Sequence, residues 1–275
     1  MSIQLVAIDV DDTLLNSKGK LSSSTITAVK AALAQGVKVV LCSGRPLAGV
    51  QPFLDQLGIS GDDQYVITYN GAITATVAGE VLAKHLVTNQ QYRELTTFAQ
   101  AHQAGFNVLD THSVIYTADR DVNPITVVQA WENSAGLLIR TPDELPADFE
   151  ITKGVFGGTA EELDAIEPTV RSTFGDDLYV VRAAANFLEV LNPVVNKGQA
   201  LRELAKKLNL PASDIMAIGD ERNDLPMFAF AGTAVAMGNG NPVAKGQADY
   251  VTATNDEGGI AQAFTEFKLI PAPVK

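Results

Sequence analysis

The 275-residue sequence has few cysteines, histidines, tryptophans and positive charges. Its one cysteine, Cys42, excludes an intramolecular disulfide framework and is typical of a reducing compartment, so we expect a cytoplasmic location. The formal net charge of −12 disfavours non-specific binding to nucleic acid or to an anionic membrane surface. The three histidines, His85, His102 and His112, lack metal-ligand spacing, which argues against a histidine-based zinc site.

Long apolar runs are also missing. The longest mostly apolar stretch, PMFAFAGTAVAMG, is shorter than the roughly 20 residues that a membrane-spanning helix needs. No basic residue precedes the first apolar run, and Asp9 interrupts it, so we expect no signal peptide. A composition of 46% hydrophobic and 19% charged residues is that of an ordinary soluble globular protein.

Short β-branched runs alternate with helix-like segments at both ends of the chain. The early runs are IQLVAIDV, VKVVLCS and YVITYN, and the late runs are FLEVLN, DIMAIGD, TAVAMG and DYVT. Continuous apolar strands separated by amphipathic helices indicate a parallel sheet that is covered on both faces. The pattern therefore predicts a doubly wound, Rossmann-like α/β fold.

The middle of the chain has a different pattern. Between about His85 and Ala185, helical segments such as NQQYRELTTFAQAHQ stand beside isolated strands such as SVIYTA and ITKGVFGG. We therefore predict one α/β domain formed by residues 1–84 together with 186–275, interrupted by an inserted α+β domain at residues 85–185.

Polar residues cluster at the ends of the predicted core strands or at the helix starts that follow. In a doubly wound sheet, ligands collect at the carboxyl ends of the strands, beside the point where strand order reverses. If the strands are neighbours, the four clusters converge on one pocket. They are Asp9, Asp11, Asp12 and Thr13; Ser43, Gly44 and Arg45; Lys197; and Asp220, Asn223 and Asp224.

Such a convergence would bring at least four carboxylates together. Two carboxylates about 4 Å apart repel by roughly 4 kcal/mol at an effective dielectric constant of about 20, so the cluster must bind a cation or a proton. Oxygen ligands without histidine or thiolate favour Mg²⁺ over zinc. Ser43 and Lys197 add a hydroxyl donor and a fixed cation, which a transferring phosphoryl group needs on its oxygens.

In this order and on these elements, the segments DVDDTLL, SGR, NKG and GDERND resemble the four motifs of the haloacid dehalogenase (HAD) superfamily. ITYNGA at residues 67–72 and the long insertion between the second and third motifs are similar to its Cof-type branch, which includes sugar phosphatases. The resemblance covers essentially the whole chain and is weakest in the insertion. It implies a HAD-type core and a cap domain that determines substrate specificity.

The resemblance also implies roles for individual residues. Asp9 matches the nucleophile that forms an aspartyl-phosphate, and Asp11 matches the acid that protonates the leaving oxygen and later activates water. Asp220 matches the carboxylate that ligates Mg²⁺ with Asp9 and the backbone carbonyl of Asp11. We expect Asp9, Asp11, Ser43 and Lys197 to be catalytic, Ser43, Gly44, Arg45, Asn70, Gly71, Lys197 and Asn223 to contact phosphate or substrate, and Asp9, Asp11, Asp220 and Asp224 to bind the metal.

The second carboxylate, Asp11, favours phosphate ester hydrolysis, because family members that are phosphonatases or transport ATPases usually lack it. One position departs from the family pattern, since Asp12 stands where members of this branch commonly have glycine. Aspartate tolerates left-handed backbone geometry better than most residues, so the substitution does not exclude the turn.

Several of these residues also have purely structural interpretations. Asn70 and Gly71 are as typical of a tight turn as of a substrate contact. Arg45 is as typical of a structural ion pair as of a substrate contact. We expect Cys42 to be a core residue and Lys153, in the insertion, to be solvated or paired.

The sequence thus predicts a Mg²⁺-dependent phosphatase that hydrolyses small phosphorylated metabolites, with sugar phosphates as the first expectation. A phosphomutase is an alternative, because it shares the aspartyl-phosphate and the acid but returns the phosphoryl group to a bound intermediate. A non-catalytic phosphosugar sensor is another. A response-regulator receiver is disfavoured, because the lysine follows a domain-length insertion. The sequence specifies neither the physiological ester nor the oligomeric state.

Overall fold

The computed structural model describes residues 3 to 271, which form two compact units. The first unit comprises the described residues up to Gly44, then Val50–Ala83, and the chain from Asn196 onwards. The second unit comprises Arg45–Gly49 and Lys84–Val195. None of the helices in this described part is long and apolar enough to span a membrane.

The described residues form fourteen strands and nine α-helices. The strands are β1 (Leu5–Asp9), β2 (Lys38–Cys42), β3 (Tyr65–Thr68), β4 (Ile73–Thr76), β5 (Val81–Lys84), β6 (Phe106–Leu109), β7 (Val114–Thr117), β8 (Gly136–Ile139), β9 (Lys153–Gly157), β10 (Tyr179–Ala184), β11 (Phe187–Leu191), β12 (Ile215–Gly219), β13 (Thr233–Ala236) and β14 (Tyr250–Val251). The helices are α1 (Ser23–Ala34), α2 (Leu47–Leu57), α3 (Asn89–Ala101), α4 (Pro124–Glu132), α5 (Ala160–Phe174), α6 (Lys197–Lys207), α7 (Leu225–Phe230), α8 (Pro242–Gln247) and α9 (Gly259–Glu266).

The first unit contains an eight-stranded sheet in the order β14-β13-β12-β1-β2-β3-β4-β5. Its central strand, β1, is parallel to both β12 and β2, so the chain builds outwards from β1 in two opposite directions. Strand order therefore reverses beside β1, which is the point where an α/β sheet binds its ligands. The predicted doubly wound α/β core is confirmed.

The central strands of this sheet are buried on both faces. Every residue of β1 and β12 is buried, as their continuous apolar sequences LVAID and IMAIG predict. Alternate residues of β1, β2 and β12 pack with the buried residues of α6, α7 and α8 on one face. On this face Cys42 is fully buried, which confirms its interpretation as a core residue, and burial raises the pKa of its thiol.

The second unit contains a six-stranded sheet in the order β10-β11-β9-β6-β7-β8, in which only the β7–β8 pair is parallel among the pairs described. One face of this sheet carries Phe106, Val108, Phe156, Leu188 and Val190, and these residues form an apolar core with the buried residues of α3 and α5. The unit is therefore an α+β structure with a core of its own.

The exit from the inserted domain lies further along the chain than predicted. The segment FLEVLN was expected to be a strand of the α/β core, but β11 pairs antiparallel with β10 and β9 in the second sheet. Leu188 and Val190 accordingly pack in the second unit's core. Residues 186–195 therefore belong to the second unit, which ends at Val195 rather than at Ala185.

Candidate active site

Asp9 is the last residue of the central strand β1 and is nearly buried, with 6% of its surface exposed. The chain then makes a tight turn over Val10–Leu14, closed by the Leu15 N–H donating to the Val10 carbonyl at 3.0 Å. The turn requires a left-handed residue, and Asp12 takes that conformation with φ 56°. Aspartate therefore occupies the left-handed position of this turn, which the sequence did not exclude.

Asp220 and Asp224 follow the neighbouring strand β12. The Asp224 carboxylate accepts hydrogen bonds from the backbone N–H groups of Asp220 at 2.9 Å and Glu221 at 3.1 Å, which fixes the loop around it. Gly219 makes room for this arrangement, because a Cβ atom there would lie 2.5 Å from the Asp224 carboxyl. On the other side, the Thr13 hydroxyl donates to Asp220 Oδ1 at 2.7 Å and so joins the two strand ends.

Lys197 begins helix α6 and is completely buried. Its Nζ atom donates to Asp9 Oδ1 at 2.5 Å and to Asp224 Oδ1 at 2.7 Å. Burial by itself lowers the pKa of this ammonium group, but the carboxylates of Asp224 and Asp9 outweigh that effect and raise it. Lys197 is therefore a permanent positive charge between two carboxylates that lie 215 positions apart in the chain.

The three carboxylates of Asp9, Asp220 and Asp224 each offer an oxygen, and these oxygens all lie within 4.8 Å of one another. Burial and the nearby Asp224 charge raise the pKa of Asp9 well above its usual range despite the Lys197 ammonium. Burial also raises the pKa of Asp220, to about 6, although the Thr13 hydrogen bond opposes the shift. One lysine thus balances only part of the negative charge, so these residues fit a divalent cation that takes oxygen ligands.

The residues after β2 and β3 meet beside this cluster of charges through backbone contacts. Ser43 is fully buried; its N–H donates to the Ile67 carbonyl, and its carbonyl accepts from the Asn70 N–H, both at 2.9 Å. The Asn223 amide donates to Asn70 Oδ1 at 3.4 Å, which connects this turn with the loop after β12. The predicted residues Ser43, Asn70 and Asn223 therefore lie on three adjoining loops of the first unit.

Gly71 shows why this turn uses the sequence Asn-Gly. It has φ +105°, and a Cβ atom there would lie 2.6 Å from the carbonyl oxygen of Asn196, the residue before Lys197. Asn196 caps helix α6, because its side chain accepts from the Gln199 N–H at 2.8 Å. The close approach of Gly71 to Asn196 thus brings the β3 turn against the start of the lysine-bearing helix.

Two predicted site residues, Asp11 and Arg45, do not belong to the buried cluster of the first unit. The Asp11 side chain is exposed and is not one of the three clustered carboxylates. Arg45 belongs to the second unit, where its Nη1 atom donates to the Glu132 backbone carbonyl at 3.2 Å. Lys153 also has a structural partner, since it forms a buried ion pair with Glu189, so the expectation that it is paired is confirmed.

The loop after β13 supports the turn over Val10–Leu14, and sequence reasoning did not predict this role. The Asn239 side chain donates to the Asp12 carbonyl at 2.8 Å and accepts from the Asn255 N–H at 2.9 Å. The Asn255 side chain in turn donates to the Leu15 carbonyl at 2.9 Å. Polar residues after a core strand were the available signal, because Asn239 lies in the segment GNGNP directly after β13.

Comparison with known proteins agrees with this geometry. Residues 6–264 match the haloacid dehalogenase-like hydrolase family. The chain belongs to this family. YxeH of Bacillus subtilis, which is named as a phosphatase, is 36% identical over 267 residues that cover 97% of this chain and 98% of that protein.

Solved structures of the family have the same fold over nearly the whole chain. A haloacid dehalogenase-like hydrolase from Bacteroides thetaiotaomicron has a TM-score of 0.86 and 30% identity, covering 96% of this chain and 98% of that one. The HAD subclass IIB sugar phosphatase BT4131 has a TM-score of 0.79 and 25% identity, covering 97% and 100%. The protein is accordingly a HAD-type phosphatase that acts on phosphorylated substrates.

Proposed function

We propose that the protein is a Mg²⁺-dependent phosphatase of small phosphorylated metabolites, sugar phosphates in particular, and that it forms an aspartyl-phosphate on Asp9. The observation that carries this proposal is the position of the Lys197 ammonium, which is bonded to both Asp9 and Asp224 in a site with Asp220. The fixed ammonium suits an anionic phosphate, and the three carboxylates suit a divalent metal, so the site fits both together.

The nucleophile is the Asp9 carboxylate. Its Oδ1 atom is held by Lys197, and this contact favours the ionised form that nucleophilic attack requires. Attack forms a bond between an Asp9 oxygen and phosphorus, while the bond from phosphorus to the ester oxygen breaks. In a second step, water attacks the phosphorus, releases inorganic phosphate and restores the Asp9 carboxylate.

The general acid and base is Asp11. It lies two residues after Asp9 on the same turn, and its exposed side chain can approach a leaving group and a water molecule. As an acid it donates a proton to the departing ester oxygen, which leaves as an alcohol. As a carboxylate it then takes a proton from the attacking water.

The phosphate oxygens are held by residues from three loops. Lys197 supplies the positive charge, and we assign donor roles to the Ser43 hydroxyl, the Gly44 N–H and the Asn223 amide. Asn223 also has a buried side-chain oxygen, Oδ1, for which the described residues provide no hydrogen-bond partner. This atom suits a donor brought by the substrate or by water.

Asp9, Asp220 and Asp224 would hold the Mg²⁺ ion. When bound, the ion supplies positive charge that offsets the negative charge developing on the transferred phosphoryl group.

Sugar phosphates are proposed as substrates because BT4131, a structural neighbour over the whole chain, is named as a sugar phosphatase. We assign the choice of leaving group to the second unit, which is the inserted domain. Ranking hexose, pentose and triose phosphates by kcat/KM measures this preference.

The decisive experiment measures phosphate release from an aryl phosphate and from hexose phosphates, with Mg²⁺ or with a chelator. We expect Asp9→Asn to lower kcat by at least roughly 10³-fold, as for other nucleophile substitutions, with the fold unchanged. Asp62→Asn is the matched control, because Asp62 is an exposed aspartate of the first unit. Acid-quenched wild-type protein should yield a phosphorylated peptide that contains Asp9.

Three outcomes would overturn the proposal. Full turnover by the Asp9→Asn protein would exclude the nucleophile, and full turnover in chelator would exclude the metal. Conversion of a hexose 1-phosphate into an isomer without free phosphate would mean that the protein is a mutase.

A further inference from the structure

Helix α4 has a largely polar inward side and an apolar outward side. Its inward side carries Thr126, Gln129, Ala130 and Asn133, which is the residue after the helix end, and all four are buried. Its outward side carries the apolar residues Val127, Val128 and Trp131, with exposed fractions of 50%, 42% and 81%. A surface helix normally places apolar residues inward, so this outward apolar side requires a cover.

Strand β8, which follows α4 after three residues, extends this apolar surface. It is an edge strand of the second sheet, and Leu138 and Ile139 are 41% and 46% exposed. The Arg140 N–H donates inward to the Thr117 carbonyl, and backbone groups alternate along a strand, so those of Leu137 and Ile139 point outward. The Arg140 Nη1 atom donates to the outward Ile139 carbonyl at 2.7 Å. The strand residues themselves, Gly136–Ile139, include no charge and no proline, and such an edge strand is a template for pairing with another strand.

We propose that the protein is a homodimer in which β8 pairs antiparallel with β8 of a second copy and the apolar side of α4 is covered by the same contact. The proposed interface therefore comprises the outward residues of α4 and the edge of β8. It lies within the second unit and does not depend on the proposed catalytic function.

The backbone geometry indicates that the covering strand is a second copy. Antiparallel partners must both present outward groups, so Leu137 of one copy faces Ile139 of the other, and the two Leu138 residues face each other on a two-fold axis. This pairing gives the outward groups of Leu137 and the Ile139 N–H a partner in both strands, and it replaces the hydrogen bond that the Ile139 carbonyl accepts from Arg140 Nη1. It also joins two six-stranded sheets and so removes both exposed edges.

The charges beside β8 are complementary under the same symmetry. Glu132 ends α4 just before β8, and Arg140 directly follows β8; both side chains are exposed. Antiparallel pairing places the carboxyl end of one strand beside the amino end of the other. Arg140 of each copy then lies towards Glu132 of the other, which pairs opposite charges.

The first test measures mass by light scattering and the emission of Trp131 across a dilution series. Because Trp131 is the sole tryptophan and is 81% exposed, we expect a blue shift as the protein associates. The dimer should have twice the 29.1 kDa chain mass, with a dissociation constant on the order of micromolar, as for a small interface. A chain that stays monomeric at tens of micromolar would overturn the proposal.

Variants show whether β8 is the interface. We expect Leu138→Lys to raise the dissociation constant at least about 10-fold, because it places two charges at the two-fold axis. Val81→Lys is the matched control, since Val81 is an exposed apolar residue on the edge strand β5 of the other sheet. If Leu138→Lys leaves the dimer intact, or if Val81→Lys disrupts it instead, the proposed interface is wrong.

A charge exchange tests the pairing direction. Glu132→Arg and Arg140→Glu should each weaken the dimer, whereas the double substitution should restore it. Amide exchange at Leu137 and Ile139 should slow as protein concentration rises, in wild type and in the double variant. A double variant as weak as the single ones, with exchange independent of concentration, would exclude antiparallel β8 pairing.

Discussion

Substitution of Lys197 by methionine tests the charge balance at the centre of the active site. Lys197 Nζ lies 2.5 Å from Asp9 Oδ1 and 2.7 Å from Asp224 Oδ1, and each contact is worth roughly 6 kcal/mol at an effective dielectric constant of about 20, before desolvation. Without the ammonium, three carboxylates remain with oxygens within 4.8 Å of one another, and each pair repels by at least about 3.5 kcal/mol.

Desolvation of Lys197 offsets much of this attraction, so we expect Lys197→Met to lower the free energy of unfolding by about 3–5 kcal/mol, the usual effect of breaking a buried ion pair. The assay is denaturant unfolding in chelator, so that no metal replaces the ammonium. Far-UV circular dichroism follows the whole chain, and amide hydrogen exchange at the two sheets follows each unit separately. The loss should appear in the exchange of the first unit's sheet and be absent from that of the second.

Two further proteins complete this test. Lys206→Met, on the exposed side of the same helix, should change stability by less than about 0.5 kcal/mol. Combining Lys197→Met with Asp9→Asn removes one negative charge with the positive one, so the two effects should be non-additive by roughly 1–3 kcal/mol in favour of the double variant. If Lys197→Met unfolds within about 1 kcal/mol of wild type, the reasoning about charge is refuted.

The remaining predictions concern a buried ion pair and two turns. Lys153→Met alone should cost about 3–5 kcal/mol in the unfolding of the second unit, whereas the double substitution with Glu189→Leu should be neutral or stabilising, and a double variant weaker than the single one would contradict this. Gly71→Ala should cost at least about 2 kcal/mol in thermal unfolding, because its φ is +105° and the new Cβ would lie 2.6 Å from the Asn196 carbonyl oxygen. A thermal midpoint equal to wild type would exclude that close approach. Asp12→Gly should be more stable than Asp12→Ala by about 1–2 kcal/mol, since φ at this position is 56°; equal stabilities would mean that the turn is not strained.

The site of the first unit was accessible to sequence reasoning because it follows from a rule of topology. Parallel strands that lie side by side end at the same sheet edge, so residues directly after β1, β2 and β12 must be neighbours. Asp9, Ser43 and Asp220 could therefore be placed together without any knowledge of contacts. Thr13 and Asn239 were not assigned roles, because the hydrogen bonds that their side chains donate to Asp220 and to the Asp12 carbonyl depend on loop conformation.

The boundary of the second unit was not accessible in the same way. FLEVLN has the composition of a core strand, and composition does not indicate which sheet a strand joins. The signal against the α/β core was Glu189, since a strand buried on both faces has no place for a carboxylate unless a partner is buried with it. Lys153, the partner, lies 36 positions earlier and could not be identified from spacing.

The orientation of helix α4 could not be predicted from the sequence either. Periodicity alone would bury Val127, Val128 and Trp131, yet the structure exposes these three and buries Thr126 and Gln129 beside Ala130. The hydrogen bond from the Asn107 amide to the Thr126 hydroxyl at 3.0 Å explains part of this inversion, because a polar sheet face needs polar partners. Hydrophobic periodicity therefore predicts the wrong orientation for a helix when the sheet face beneath that helix is polar.

The two buried lysines, Lys153 and Lys197, differ in how completely the neighbouring carboxylates balance their charge. Lys153 forms a buried ion pair with Glu189, so the two charges of that pair balance each other. Lys197 faces two carboxylates directly and a third nearby, which leaves negative charge that the described residues do not balance. Because an unbalanced buried charge is costly, a chain keeps one only where a ligand supplies the missing charge. The imbalance around Lys197, rather than its burial, is therefore the observation on which the proposed metal and phosphate site rests.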